Sequence, residues 1–272
     1  MPWLGLKLLT GARSNMLKPN KLKRVLKEQQ SVFGLFCSTP APVVVEMVGC
    51  AGFDFVIIDS EHTLVNPETL ENMVRAAEVV GLTALVRVPD SSPGSILQAL
   101  DAGAQGVVVP RIGSKAEAER AVCASYYYPQ GERSLNSGRP AGFGRMDLPT
   151  YLQRANAEVM VVPMIEDSKG IQALEEILAV PGIDMVLEGA ADLSQSLGIP
   201  WQTRHPWIRD ALCQVQSMAQ QKGVPFCAIP RVLEDFTFWK ERGVRAFVLG
   251  DERGIAYRAL EAHLNGFKQE VS

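Results

Sequence analysis

The order of apolar segments along this 272-residue chain predicts an α/β fold, a (β/α)8 TIM barrel of parallel strands. Three observations carry that expectation. Short β-rich apolar runs alternate with longer stretches of three-to-four-residue apolar spacing, and Gly, Pro or Asp stand at most junctions. The runs are continuously apolar rather than alternating, as in parallel strands buried on both faces. Eight of them occur, and the length that remains after a basic amino-terminal stretch matches the roughly 250 residues such a barrel takes. The competing architecture, an open doubly wound sheet, would hold a phosphate on a Gly-rich first turn. No G-x-G-x-x-G or Walker loop follows an early strand.

The elements follow in chain order. Residues 1–30 carry seven Lys or Arg against Glu28 alone. The apolar core from Trp3 to Leu9 is short for a targeting peptide and lacks a convincing cleavage site, so a poorly ordered extension followed by a solvated helix is expected, with a true start at Met16 as an alternative. Residues 31–272 form the single barrel domain. Its strand candidates are Val32 to Cys37, Asp54 to Asp59, Ala84 to Val88, Gly106 to Pro110, Val159 to Ile165, Met185 to Leu187, Pro225 to Ile229 and Ala246 to Leu249. Between them the helix candidates are Pro42 to Cys50, Pro67 to Val80, Pro93 to Ala102, Lys115 to Ser125, Ile171 to Val180, Pro206 to Lys222 and Val232 to Arg242. Four of these begin with proline, which suits the first helical position because its missing N–H would be unpaired there anyway. A Gly- and Arg-rich segment from Gly131 to Arg145 interrupts the alternation.

Composition narrows the function classes. With 47% hydrophobic and 21% charged residues, neither a disordered nor a fibrous chain fits. A net charge of −3 argues against a nucleic-acid partner. No stretch approaches the roughly 18 uninterrupted apolar residues a bilayer crossing needs, so no membrane is expected. Five scattered cysteines without a CxxC pair read as reduced thiols, and a cytoplasmic compartment is expected.

In a parallel barrel, reactive groups come from the carboxyl ends of strands, whose rim carries the loops leading into the helices. Glu166 and Asp192 each follow a buried apolar run. Two such carboxylates repel unless a cation lies between them, and a hard divalent ion prefers that oxygen environment. Either could instead cap the next helix. Gly189-Ala190-Ala191 leads into Asp192, and small residues allow a ligand close to the backbone. His62 is the histidine at a strand end and a natural general base, although a lone histidine is often structural. Arg87 ends a very apolar strand and must be paired. Its fork suits a carboxylate or an enolate-like oxygen, and a rim salt bridge to Asp59 or Glu61 is the alternative.

Together these places resemble the HpcH/HpaI aldolase (citrate lyase-like) family over about Val32 to Leu260. The matching motifs are Gly52-Phe53-Asp54-Phe55 leading to Ile58-Asp59-Ser60-Glu61-His62, then Val86-Arg87-Val88-Pro89, Leu100-Asp101-Ala102-Gly103, Ile165-Glu166 and Ala191-Asp192-Leu193-Ser194. The resemblance implies a (β/α)8 barrel in which Glu166 and Asp192 ligate a divalent ion, Mg²⁺ or Mn²⁺. It also implies that Arg87 holds the substrate's oxo and enolate oxygen and that His62 moves the proton. Asp101 would orient His62, and the backbone of Gly189, Ala190 and Ala191 would bind the substrate carboxylate. Homo-oligomers that exchange a carboxyl-terminal helix are implied as well, with Ala256 to Phe267 packing on a neighbour.

Three departures bear on the substrate. Gly189-Ala190-Ala191-Asp192 replaces a common Gly-Pro-Ala-Asp, Met164 stands where many members carry Gln, and Arg133 and Arg139 enrich the usual Gly-x-Arg-Gly segment. If those arginines face the site, they favour a second substrate carboxylate. The segment Glu188 to Gly198 is similar to the family's siderophore-type citrate synthases, of the staphyloferrin B kind. The expected reaction is therefore condensation of oxaloacetate with acetyl-CoA to citrate. The alternatives are an aldolase that releases or consumes pyruvate, and a non-catalytic carboxylate-binding barrel.

Overall fold

The computed structural model describes residues 17–270. Its strands are β1 (Val32–Cys37), β2 (Phe55–Asp59), β3 (Thr83–Arg87), β4 (Gly106–Val109), β5 (Met160–Ile165), β6 (Val186–Glu188), β7 (Phe226–Ala228) and β8 (Ala246–Asp251). All pair in parallel in sequence order, and β8 returns to β1 to close the barrel. Around it run α1 (Lys21–Lys27), α2 (Pro42–Cys50), α3 (Pro67–Val80), α4 (Pro93–Asp101), α5 (Lys115–Ser125), α6 (Leu148–Glu158), α7 (Ser168–Gln172), α8 (Leu174–Leu178), α9 (Ala190–Ser196), α10 (Pro206–Lys222), α11 (Leu233–Glu241) and α12 (Glu252–Gln269).

The continuous apolar runs divide their residues between two cores. Phe55, Ile57, Leu85, Val108, Met160, Val162, Met164 and Leu187 fill the lumen, while Val56, Ile58, Val86, Val107, Val161 and Val186 pack outward under the helices. This double burial removes the need for polar residues along the strands. It leaves their ends as the places where charge can stand.

The expected solvated amino-terminal helix is corrected by the structure. α1 inserts Leu22, 1% exposed, into the lumen cluster, and the Leu22 N–H donates to Thr83 Oγ1 at 3.2 Å. Its N-cap residue Asn20 donates from Nδ2 to the carbonyls of Gln105 and Glu158. The helix therefore plugs the amino-terminal end of the barrel, which short strands alone would leave open. The expected extension before it, through Met16, lies outside the described residues.

Other differences are local. The helix expected over 171–180 is the pair α7 and α8, which meet at Ala173. Two further elements are helical: α6, whose Leu148, Tyr151, Leu152 and Ala155 recur at helical spacing and which buries Tyr151 and Ala155, and the short α9, which has no apolar period. α12 is the opposite case, an 18-residue helix with no buried residue, on which Tyr257, Leu260, Leu264 and Phe267 stand exposed. Among the described residues the five cysteines are free thiols, and no helix is long and apolar enough to cross a membrane.

Candidate active site

Burial of both faces of every strand forces the polar groups to the carboxyl rim, where a cavity of about 540 Å³ opens. Phe36, Arg87, Met164, Glu166, Gly189, Ala190, Ala191 and Asp192 line it, with Trp201, Arg231, Asp251, Gly254 and Arg258 toward its edge.

Arg87 and Asp59 are direct neighbours across β2 and β3. Arg87 donates from Nε to Asp59 Oδ1 at 2.9 Å and from Nη2 to Asp59 Oδ2 at 2.8 Å, and its guanidinium lies 4.7 Å from the centre of the Phe36 ring. Burial alone would raise the Asp59 carboxyl. The Arg87 hydrogen bonds and charge, with N–H donors from His62 and Glu61, outweigh it and hold the group below its ordinary value. The rim salt bridge and the outward-facing role thus coexist. Two of the five guanidinium donors go to Asp59, Nη1 also faces the Glu61 carboxylate, and the remaining N–H groups of a fixed fork stand at the cavity wall.

Glu61 joins the neighbouring cations. Its carboxylate lies 3.3 Å from Arg87 Nη1, 3.2 Å from Arg111 Nη2 and 3.7 Å from His62 Nε2. The His62 side chain is 53% exposed and stands outside the cavity lining.

Glu166 follows β5 and is buried. Its Oε1 accepts the N–H of Arg111 at 2.6 Å, from a left-handed backbone position at φ +56°. Burial pushes the Glu166 carboxyl up to about 7; the Arg111 N–H opposes the rise, the charges of Glu61 and Asp192 add to it, and Arg87 opposes it. Gly189 is what lets β6 end against this carboxylate, because a Cβ there would sit 2.3 Å from Glu166 Cβ and 2.6 Å from Oε2. One turn on, the first turn of α9 carries Asp192, which is exposed between the buried Ala190 and Leu193. A buried acid whose charge is opposed by desolvation and by two further acids fits a divalent cation at its open oxygen. Among the described residues no group of three or more His, Cys, Asp or Glu is placed to hold an ion. The protein would therefore supply two carboxylates and leave the other positions to substrate and water.

Three expected residues lie elsewhere. Asp101 ends α4, which runs from the carboxyl rim toward the opposite one, and its carboxylate takes Arg133 Nη2 at 2.8 Å and Asn136 Nδ2 at 3.0 Å. It does not orient His62 within this chain. Arg133 and Arg139 are buried at that opposite rim beside a pocket of about 100 Å³, and Arg139 is held by both Glu78 oxygens and the carbonyl of Ala102. They do not face the cavity, so they add no second-carboxylate site there. Conversely, Arg111 and Arg231 were missed, although they stand two and three residues past the ends of β4 and β7, on the same carboxyl rim as Arg87.

The chain matches the HpcH/HpaI aldolase/citrate lyase family over residues 32–246. It belongs to that family. Its relatives include the 5-keto-4-deoxy-D-glucarate aldolase of Klebsiella pneumoniae subsp. pneumoniae, 30% identical over 94% of this chain and 99% of the other. Among solved structures, citrate synthase SbnG is similar with a TM-score of 0.86 and 43% identity, covering 92% of this chain and 98% of that one. Macrophomate synthase follows with a TM-score of 0.85 and 26% identity over 94% and 91%. This HpcH/HpaI chain is thus an enzyme of carbon–carbon bond chemistry, and a purely carboxylate-binding barrel is set aside.

Proposed function

We propose that the enzyme condenses oxaloacetate with acetyl-CoA to citrate, using a divalent ion held by Glu166 and Asp192. The observation that carries this reading is the 43% identity with citrate synthase SbnG across nearly the whole of both chains. The 30% identity with a 5-keto-4-deoxy-D-glucarate aldolase supports the second reading, an aldolase acting through pyruvate.

When bound, the ion supplies Lewis-acid stabilisation of charge at the oxo-acid oxygens. The protein groups do the rest. Arg87, held between Asp59 and Glu61, presents its remaining N–H donors to the ketone oxygen, where negative charge builds as the new bond forms. The Gly189 N–H is taken by the Ile165 carbonyl at 3.1 Å and the Ala190 N–H by the Glu188 carboxyl, so within the Gly189-Ala190-Ala191 turn it is the Ala191 N–H that orients the carboxylate next to the ketone. His62, on the exposed turn after β2 and outside the cavity lining, takes a proton from the thioester methyl, and that C–H electron pair forms the bond to the ketone carbon. The ketone oxygen is protonated to the hydroxyl. Water then cleaves the thioester, giving the third carboxylate of citrate and the free thiol. Among the described residues no lysine lines the cavity, and the step above uses no Schiff base.

The test is thiol release from acetyl-CoA in the presence of oxaloacetate and Mg²⁺ or Mn²⁺. Release that depends on all three supports condensation. No release, together with rapid aldehyde-dependent turnover of pyruvate, selects the aldolase.

A further inference from the structure

We infer that the ridge formed by Trp201, Arg204, Arg209 and Arg231 beside the cavity mouth is the docking site for the nucleotide end of a coenzyme A thioester. This deepens the condensation reading and rests on it.

The ridge begins with Trp201. Its side chain is 82% exposed, and its backbone is left-handed at φ +67°, a conformation unfavourable for a bulky residue. The loop is nonetheless pinned, because Ser194 Oγ accepts the Trp201 N–H at 2.8 Å and donates to the carbonyl of Ala191 at 2.6 Å. The same small helix that carries Asp192 therefore holds an indole out at the edge of the cavity it lines. An exposed aromatic face next to a substrate cavity is a stacking platform for a planar base.

The arginines continue from that edge. Arg231 lines both the cavity and a small adjoining pocket that also contains Arg204, Arg209, Asp235 and Glu188. Asp235 accepts from the Arg204 guanidinium at 3.2 Å, from the Arg209 guanidinium at 3.3 Å and from the backbone N–H of Arg231 at 3.2 Å, while the Arg231 guanidinium itself donates from Nη1 to the carbonyl of Ile229. Arg231 Nη1 lies 3.6 Å from Glu188. Both acids are buried, whereas the three guanidinium side chains are 50%, 41% and 30% exposed. The surface that reaches solvent is cationic, and pre-positioned guanidinium forks suit phosphate oxygens.

A coenzyme A thioester has the complementary order of groups. The acyl carbon at one end belongs over Glu166 and Asp192. The adenine, pyrophosphate and ribose phosphate at the other end lie beyond the pantetheine arm, at the rim. Small oxo acids and aldehydes have no use for such a ridge.

The experiment compares acetyl-CoA with S-acetylpantetheine, which lacks the nucleotide, in full-length wild type, Arg204→Gln and Trp201→Gly, with Mg²⁺ and saturating oxaloacetate. Glycine accepts the left-handed backbone, so the second variant relieves strain rather than adding it. Each variant should raise the KM for acetyl-CoA about tenfold or more while shifting that for S-acetylpantetheine far less. Adenosine 3′,5′-bisphosphate should compete with acetyl-CoA in the wild type. Unchanged acetyl-CoA KM values in both variants, or equal losses with both thioesters, overturn the docking site. If neither thioester yields thiol, the condensation reading fails, and calorimetry with adenosine 3′,5′-bisphosphate judges the ridge alone. Binding that weakens in Arg204→Gln then sustains the ridge, and no binding overturns it.

Discussion

Glu166 combines burial with two acidic neighbours, and its protonation follows from that environment. An ordinary glutamate titrates at 4.5, and this one is pushed up to about 7. The folded metal-free chain therefore keeps a proton that the unfolded chain has released. That contribution to stability is complete below the unfolded value and is lost as pH rises through about 7, so metal-free stability should fall across this window. A divalent ion must displace the same proton, so its affinity should climb about tenfold per pH unit before levelling off. Thermal melts with and without Mg²⁺ at a series of pH values check both signs, and a metal-induced shift that ignores pH contradicts the assignment. Glu166→Ala or Asp192→Ala should abolish metal-dependent turnover and leave the circular dichroism spectrum unchanged. Full activity in metal-stripped, reloaded variant protein would refute the ligand pair. Arg87→Lys should cost on the order of 10²-fold in kcat, because a point charge cannot hold Asp59 with two bonds and still aim a donor at one oxygen.

At the scale of elements, the meeting of β5, β6 and α9 is the part most sensitive to a single atom. Gly189→Ala would drive a methyl group against Glu166. The expected outcome is a folded barrel with weakened Mg²⁺ binding by calorimetry, and undiminished affinity would show that the close approach is dispensable. α1 gives a contrasting case. Leu22→Ala should lower stability by about 2–5 kcal/mol in denaturant titration while sparing metal affinity, since it empties the plug at the opposite rim. The strands and most helices were legible because continuous apolar runs and proline starts mark them directly. α9 was not, because Gly189-Ala190-Ala191 has no apolar period to read. Arg87, Glu166, Gly189, Ala190, Ala191 and Asp192 converge because each lies at or just after a strand's carboxyl end. Asp101, Arg133 and Arg139 went astray for the complementary reason. They lie in a helix end and a long loop, where sequence carries no sign of which rim the side chain will meet, and they pair with one another or with Glu78 instead.

Across the whole molecule, the two rims divide the work of the barrel. The amino-terminal rim is closed by Leu22 and by buried ion pairs, whereas the carboxyl rim sets Arg87, Glu166 and Asp192 around an open cavity. α12 breaks this economy, since it leaves β8 at the active rim and is anchored by Glu252 on the N–H groups of Ser38 and Thr39, yet has no buried residue. Its exposed Tyr257, Leu260, Leu264 and Phe267 recur at alternating intervals of three and four residues, the seam that lets one helix pack on another. A contiguous apolar stripe of this kind is costly in water and is the mark of an interface. A second copy of this chain is the partner proposed for it. Gly254 and Arg258 on the first turns of the same helix line the cavity, so association should also tune the site. Light scattering should find the wild type larger than one chain, and Leu260→Asp combined with Leu264→Asp should reduce it to a monomer with unchanged helix content and lower turnover. A monomeric wild type, or a double variant that still associates, would place the interface elsewhere and leave the stripe without a partner.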